Sequence, residues 1–225
     1  MINRFRRILN KLKKNQDVAT TFKNIYSDKR WGGTEDEKFN SGAGSEDSIS
    51  IRFIEFANKY ITENNIKSIV DLGCGDFRVG SKIISPEIEK YIGIDVVDEL
   101  IIHHQKTYGS DVVSFQCLNI INDELPDAEL CMIRQVLQHL SNQQVAEILI
   151  KLRKYKYLII CDHIPGGKFT PNKDKKHGAD IRLKYNSGLV FNEEPFNENL
   201  KIVDTFTLEN FGDGTSKLLT WIKND

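Results

Sequence analysis

No apolar run in these 225 residues approaches the length of a membrane span, and the first residues lack the apolar core of a secretory signal. A cytoplasmic protein is expected. No CxxC spacing links the four cysteines, Cys74, Cys117, Cys131 and Cys161. Each falls at or near the end of an expected strand and reads as a reduced thiol in the core. Charge of one sign is also missing: 31 Lys and Arg stand against 32 Asp and Glu, a net charge of -1, so a polyanion-binding face is not indicated and nucleic acid is not an expected partner. No internal repeat or low-complexity tract interrupts the chain. A hydrophobic fraction of 40% over this length supports one sizeable core. The expected organisation is one compact unit, with N-terminal helices and a lid loop over 1–65 and the main domain over 66–225.

Against this background one stretch stands out, Ile69-Val-Asp-Leu-Gly-Cys-Gly-Asp76, followed by Tyr91-Ile-Gly-Ile-Asp95. The apolar run Ile66–Leu72 reads as a buried strand, and Gly73 and Gly75 let the turn approach a ligand closely before a helix that should start near Phe77. A second strand ends in Asp95, about twenty residues on, where a carboxylate can accept both hydroxyls of a ribose. A dinucleotide fingerprint needs a third glycine three residues after the second, and Arg78 occupies that position. Asp71 beside the turn would repel a phosphate but suits the cationic sulfonium and amino groups of S-adenosylmethionine. The alternative is a glycine-rich turn without a ligand.

The remaining pattern alternates helix and strand. Residues 48–63 and 98–108 read as helices, 112–118 and 127–133 as strands. A helix over 141–153 with Ser141 at its N-cap and a strand over 155–161 follow. Two closing strands, 201–207 and 217–223, flank the turn signal Phe211-Gly-Asp-Gly-Thr215. The fold class expected is α/β, a doubly wound, mostly parallel seven-stranded sheet with an antiparallel C-terminal hairpin and an N-terminal helical lid. Before the sheet, MINRFRRILNKLKK carries six basic residues and no acid, with Ile2, Phe5, Leu9 and Leu12 at helical spacing. This basic amphipathic helix either touches an anionic membrane as a peripheral contact, or packs on its own domain or a second subunit, so an oligomer stays open. The Gly/Ser-rich stretch from Arg30-Trp31 to Ser45 is either a linker or a lid that brings Trp31 and Ser41 over the cofactor.

These residues resemble the class I S-adenosylmethionine-dependent methyltransferases over about 66–223. The resemblance implies that Asp71, Gly73, Cys74 and Gly75 wrap the methionine part, that Asp95 with Val96 holds the ribose, and that Asn119 with Ile120 meets the adenine. The family more often has Asp where this chain has Asn119. A narrower likeness, carried by Trp31-Gly, Ser41-Gly-Ala-Gly-Ser45, Arg134-Gln-Val-Leu-Gln-His-Leu-Ser141, Asp180-Ile-Arg182 and Pro195-Phe196, is to small bacterial methyltransferases found with surface-polysaccharide genes. It implies methyl transfer to oxygen of a sugar, sugar phosphate or surface-glycan precursor, with S-adenosyl-L-methionine as cofactor and a small-molecule or glycan acceptor as partner.

Methyl transfer from a sulfonium needs no acid at the leaving group, so a base matters only where the acceptor must lose a proton. His139, between the fourth strand and the capped helix, is the candidate base; its other role would be to pack at the loop. Arg134 and Gln135 leave the same strand beside the methionine end, and a buried Arg134 calls for a carboxylate or phosphate nearby. Asp162-His163 follows the fifth strand. Adjacent strand residues point apart, so no metal is expected there, and His163 is a candidate for the acceptor. Asp180 and Arg182 lie in a basic loop, 168–184, that either grips an acidic acceptor or is a solvated surface. An RNA or other nucleic-acid methyltransferase, or a cofactor-binding regulator without turnover, are the alternatives.

Overall fold

The computed structural model describes residues 18–34, 37–208 and 217–223. The basic amphipathic segment 1–14 and the turn signal 211–215 lie outside the described residues. Seven strands form one sheet in the order β3-β2-β1-β4-β5-β7-β6. They are β1 (Ser68–Leu72), β2 (Lys90–Asp95), β3 (Val113–Cys117), β4 (Leu130–Arg134), β5 (Tyr157–Ile164), β6 (Leu200–Thr207) and β7 (Lys217–Lys223). β1 to β5 run parallel, and β7 enters antiparallel between β5 and β6. This is the doubly wound sheet with a closing hairpin that the alternation of elements implies. A helix, α1, runs through 18–27, followed by α2 (Asp47–Glu63), α3 (Asp98–Tyr108) and α4 (Asn142–Leu152).

Period-two alternation divides the strands between two cores. Val70, Leu72, Cys131, Ile133, Leu158 and Ile160 pack on one face with Val145, Ile148, Leu149 and Leu152 of α4. Ile69, Leu130, Met132, Ile159 and Cys161 pack on the other with Phe53, Ile54, Ala57 and Ile61 of α2 and Leu100 and Ile101 of α3. A sheet covered on both faces leaves its carboxyl-end crevice as the natural ligand site. Ser141 begins α4 with a full capping box: its hydroxyl accepts from Gln144 N at 3.3 Å, and its own N–H donates to Gln144 Oε1 at 3.0 Å.

Three expectations change. No α-helix follows the Gly-Cys-Gly turn: Gly75 and Phe77 have φ of 54° and 64°, both left-handed, and only a short 3-10 turn, Gly80–Lys82, forms before β2. The helix N-terminus that would attract a phosphate is therefore missing beside this turn. β5 runs on to Ile164, so Asp162 and His163 lie inside a buried strand instead of after it. Cys74, Cys131 and Cys161 are buried, but Cys117 is exposed, because β3 is the edge strand and its last residues face outward.

Candidate active site

The turn after β1 is locked against β2, since Gly73 N and Cys74 N both donate to Ile94 O, at 2.7 and 2.9 Å. Gly73 (φ 79°) and Gly75 lie so close to neighbouring segments that a Cβ would come within 2.4 Å of Val136 Cγ2 and within 2.4 Å of Ser41 Oγ, respectively. Side-chain atoms are thereby kept out of the floor of a cavity. Asp95 ends β2 at that floor. Its Oδ2 accepts from Gly75 N at 3.3 Å and its Oδ1 from Val97 N at 3.1 Å. Burial raises this carboxyl to about 6, against the opposing pull of the Val97, Gly75 and Val96 backbone N–H groups. Asp71 is likewise raised to about 6 by burial, opposed by the Tyr91 hydroxyl, which donates to it at 2.5 Å, and by the charge of Arg134.

The Gly/Ser-rich stretch is tied down over this cavity rather than left as a linker. Ser41 Oγ lies 2.9 Å from Tyr26 Oη and accepts from Asp76 N at 2.8 Å. Asp76 Oδ2 accepts from Ser41 N at 2.9 Å and from Ser45 Oγ at 3.0 Å, and its carboxylate also takes the Arg78 guanidinium at 2.7 Å. Arg134 donates to Gly44 O and lies over the Phe53 ring. Carboxylates do lie near Arg134, as expected: Asp71, Asp76 and Asp162 act on it through charge, while its hydrogen bond goes to a carbonyl of the lid. Sequence reasoning passed over Asp76 and Tyr26. Asp76 stands within the glycine motif itself, one residue beyond the part given a role, whereas nothing in the sequence pairs Tyr26 with Ser41.

All twelve cofactor candidates line this first cavity: Trp31, Ser41, Asp71, Gly73, Cys74, Gly75, Asp95, Val96, Asn119, Ile120, Arg134 and Gln135. His139 lines it too. Asn119 reaches it after β3 with its Oδ1 accepting from Ile121 N at 3.0 Å, and Val96, Leu118, Ile120 and Ile121 give that end an apolar lining.

A second cavity opens beside the first and shares Trp31, Ser41, Gln135 and His139 with it. His163 and Asp180 line this second cavity only. Arg182 lines neither. It is 1% exposed, and its guanidinium donates to the carbonyls of Leu137, Gln138, Leu140 and Lys173 and to Asn142 Oδ1. The expected acceptor contact at Arg182 is therefore not available. The residue supports the loop that carries His139. Three lysines of the basic loop also make contacts within the chain, though nearer the surface: Lys175 donates to His139 O at 3.0 Å, Lys173 to Tyr185 O at 2.8 Å, and Lys184 pairs with Asp180 at 3.1 Å. Burial lowers His139 to about 4, and the nearby Lys175 charge acts in the same direction. Its ring packs against Trp31 at 5.1 Å and Phe22 at 6.4 Å between centroids. Gln135 leaves β4 in a left-handed conformation, φ 57°, with its Nε2 buried and without a hydrogen-bond partner among the described residues. Among the described residues no group of three His, Cys, Asp or Glu side chains could hold a metal ion.

Solved structures resemble this chain in architecture. The N-methyltransferase NodS from Bradyrhizobium japonicum WM9, in complex with S-adenosyl-L-homocysteine, superposes with a TM-score of 0.59 at 15% identity, over 89% of this chain and 98% of that one. Magnesium protoporphyrin IX methyltransferase from Synechocystis PCC 6803, with the same molecule bound, gives 0.58 at 15% identity, over 93% and 99%. The [4+2]-cyclase SpnF gives 0.57 at 13% identity, over 93% and 96%. The chain has the Rossmann-like methyltransferase fold. No protein-family model matches it, and neither does any curated protein. At these identities the likeness is one of fold, and the chemistry rests on the site.

Proposed function

We propose that this protein is an S-adenosyl-L-methionine-dependent methyltransferase acting on oxygen of a sugar, sugar phosphate or surface-glycan precursor. The observation that carries the reading is the cavity floor, where a glycine turn closed to side chains meets a strand-end carboxylate, Asp95, held by two backbone N–H groups. In this reading Asp95 accepts the ribose hydroxyls, the apolar side chains of Val96, Leu118, Ile120 and Ile121 cover the adenine, and Asp71 and Asp76 give the methionine end a negative potential. Bound there, the cofactor supplies an electrophilic methyl group. The protein supplies position: the lid anchored on Asp76 and Arg134 excludes water, and the shared wall of Trp31, Gln135 and His139 joins the donor cavity to the acceptor cavity. Trp31 offers a flat aromatic face to a sugar ring, and uncharged His139 can take a hydroxyl proton as the oxygen attacks.

Calorimetric titration tests the donor half. S-adenosylhomocysteine should bind and NAD should not, and Asp95→Ala should weaken binding about ten- to a hundredfold. Unchanged affinity in the variant would remove Asp95 from the site. No binding to the wild type would end the methyltransferase reading. Transfer of labelled methyl from the cofactor to a panel of sugars and sugar phosphates then identifies the acceptor.

A further inference from the structure

Gln138 received no role from the sequence, yet its side chain lies between two buried imidazoles. It is 4% exposed. Its Oε1 accepts from both His163 N at 2.9 Å and His163 Nδ1 at 3.1 Å, and a carbonyl oxygen can only accept, so His163 carries its proton on Nδ1. Two donors on one oxygen fix which way the amide points, and its Nε2 then faces His139 Nε2 at 3.5 Å. An amide nitrogen only donates, so the His139 atom facing it is an acceptor. On the other side of the ring, His139 Nδ1 donates to Gly178 O at 3.1 Å. The backbone of Gln138 is held as well: its N–H donates to Asp162 Oδ1 at 3.3 Å and its carbonyl accepts from Arg182 at 3.3 Å.

We propose that Gln138 is a positioning residue that, together with the Gly178 carbonyl, fixes His139 as the uncharged tautomer protonated on Nδ1. Nε2 is then the accepting atom of a residue that lines both cavities. The tautomer follows from the hydrogen bonds alone; its meaning for catalysis rests on the methyl-transfer reading. Under that reading the methyl acceptor is a group that brings its own proton, such as a hydroxyl, and a carboxylate is disfavoured by lone-pair repulsion at Nε2. A contact of 3.5 Å is at the long limit of a hydrogen bond, so an acceptor O–H at about 2.8 Å displaces it readily. The charged and titratable groups around His139 are Lys175 on its carbonyl, Asp180 in the following segment, His163 on β5, and Arg182 and Asp162 beneath the loop. α1 and the lid contribute the rings of Phe22 and Trp31.

Long-range proton–nitrogen correlation NMR on the full chain, saturated with S-adenosylhomocysteine, reads the tautomer of each histidine directly. In the wild type His139 should show the Nδ1-protonated pattern from pH 8 down to pH 5; an Nε2-protonated ring would overturn the proposal. Gln138→Glu places a carboxylate oxygen beside Nε2 and should move the His139 titration midpoint upward by about two pH units. Gln138→Met removes the acceptor on His163 Nδ1 and should change the tautomer pattern of His163, while the Gly178 carbonyl still holds the His139 proton on Nδ1. The wild-type pattern and midpoint retained in both variants would show that Gln138 only packs. Gln138 does not line the donor cavity, so calorimetry with S-adenosylhomocysteine reports whether each variant is folded. If the wild type does not bind S-adenosylhomocysteine, the same spectra recorded without it still decide the tautomer, while the methyltransferase reading falls by itself.

Discussion

The two halves of the site are built in different ways. The donor half comes from the carboxyl ends of the adjacent strands β1 and β2, and its central residues, Asp71 to Asp76 and Asp95, fall within twenty-five residues of sequence. The acceptor half brings together the lid at 41–44, the loop Gln135–His139, His163 on β5 and the segment Ala179–Lys184. Backbone hydrogen bonds hold the first in place. The second depends on one buried guanidinium, that of Arg182, and one glutamine. A cofactor site shared by many enzymes can be fixed by the main chain, whereas an acceptor site peculiar to one enzyme is carried by side chains over that frame.

Arg182→Ala gives the strongest test of this contrast. It strips donors from four carbonyls, three of them buried, should cost about 3 kcal/mol, and should lower Tm by roughly 6–12 °C in calorimetry. Below that temperature S-adenosylhomocysteine affinity should stay within a few fold of wild type, because Arg182 does not line the donor cavity and meets its wall only at the Leu140 carbonyl. An equal loss of affinity would erase the distinction between the halves.

Acidification should separate them in the opposite sense. Asp95 is raised to about 6 by burial, so it is ionised at neutral pH and gains a proton as pH falls through that value. The ionised form offers the ribose more acceptor sites, so affinity for S-adenosylhomocysteine should fall about tenfold between pH 7.5 and pH 5. His139 lies at about 4 and stays uncharged over the same range. Affinity that is flat with pH in calorimetry would show that Asp95 does not carry the ribose contact. Cys117→Ser should have the smallest effect, under about 0.5 kcal/mol in denaturant unfolding, since the side chain is exposed at the sheet edge. In native protein a thiol reagent should modify Cys117 and leave Cys74, Cys131 and Cys161 intact.

Much of the frame was legible because its signals are local. The apolar run at 66–72, the strand at 127–133, the N-cap at Ser141 and the closing strands come from signals that a short window contains. The missing helix after the glycine turn was not legible, because Phe77 takes a left-handed conformation, with its ring packed between Tyr91 and Phe115. The length of β5 was missed because Asp162 and His163 look like loop residues. They extend the strand by pairing with Leu219 and Leu218 of β7, more than fifty residues away.

By itself the sequence determined the sheet and the glycine turn at the cavity floor, because strand periodicity and a glycine turn act over a few residues at a time. Only the tertiary structure decided that Arg182 supports a loop instead of meeting an acceptor, that Arg134 answers a lid carbonyl, and that Gln138 stands between two imidazoles. Such roles depend on which buried polar group meets which partner across long separations. Residue type states only that a partner must exist.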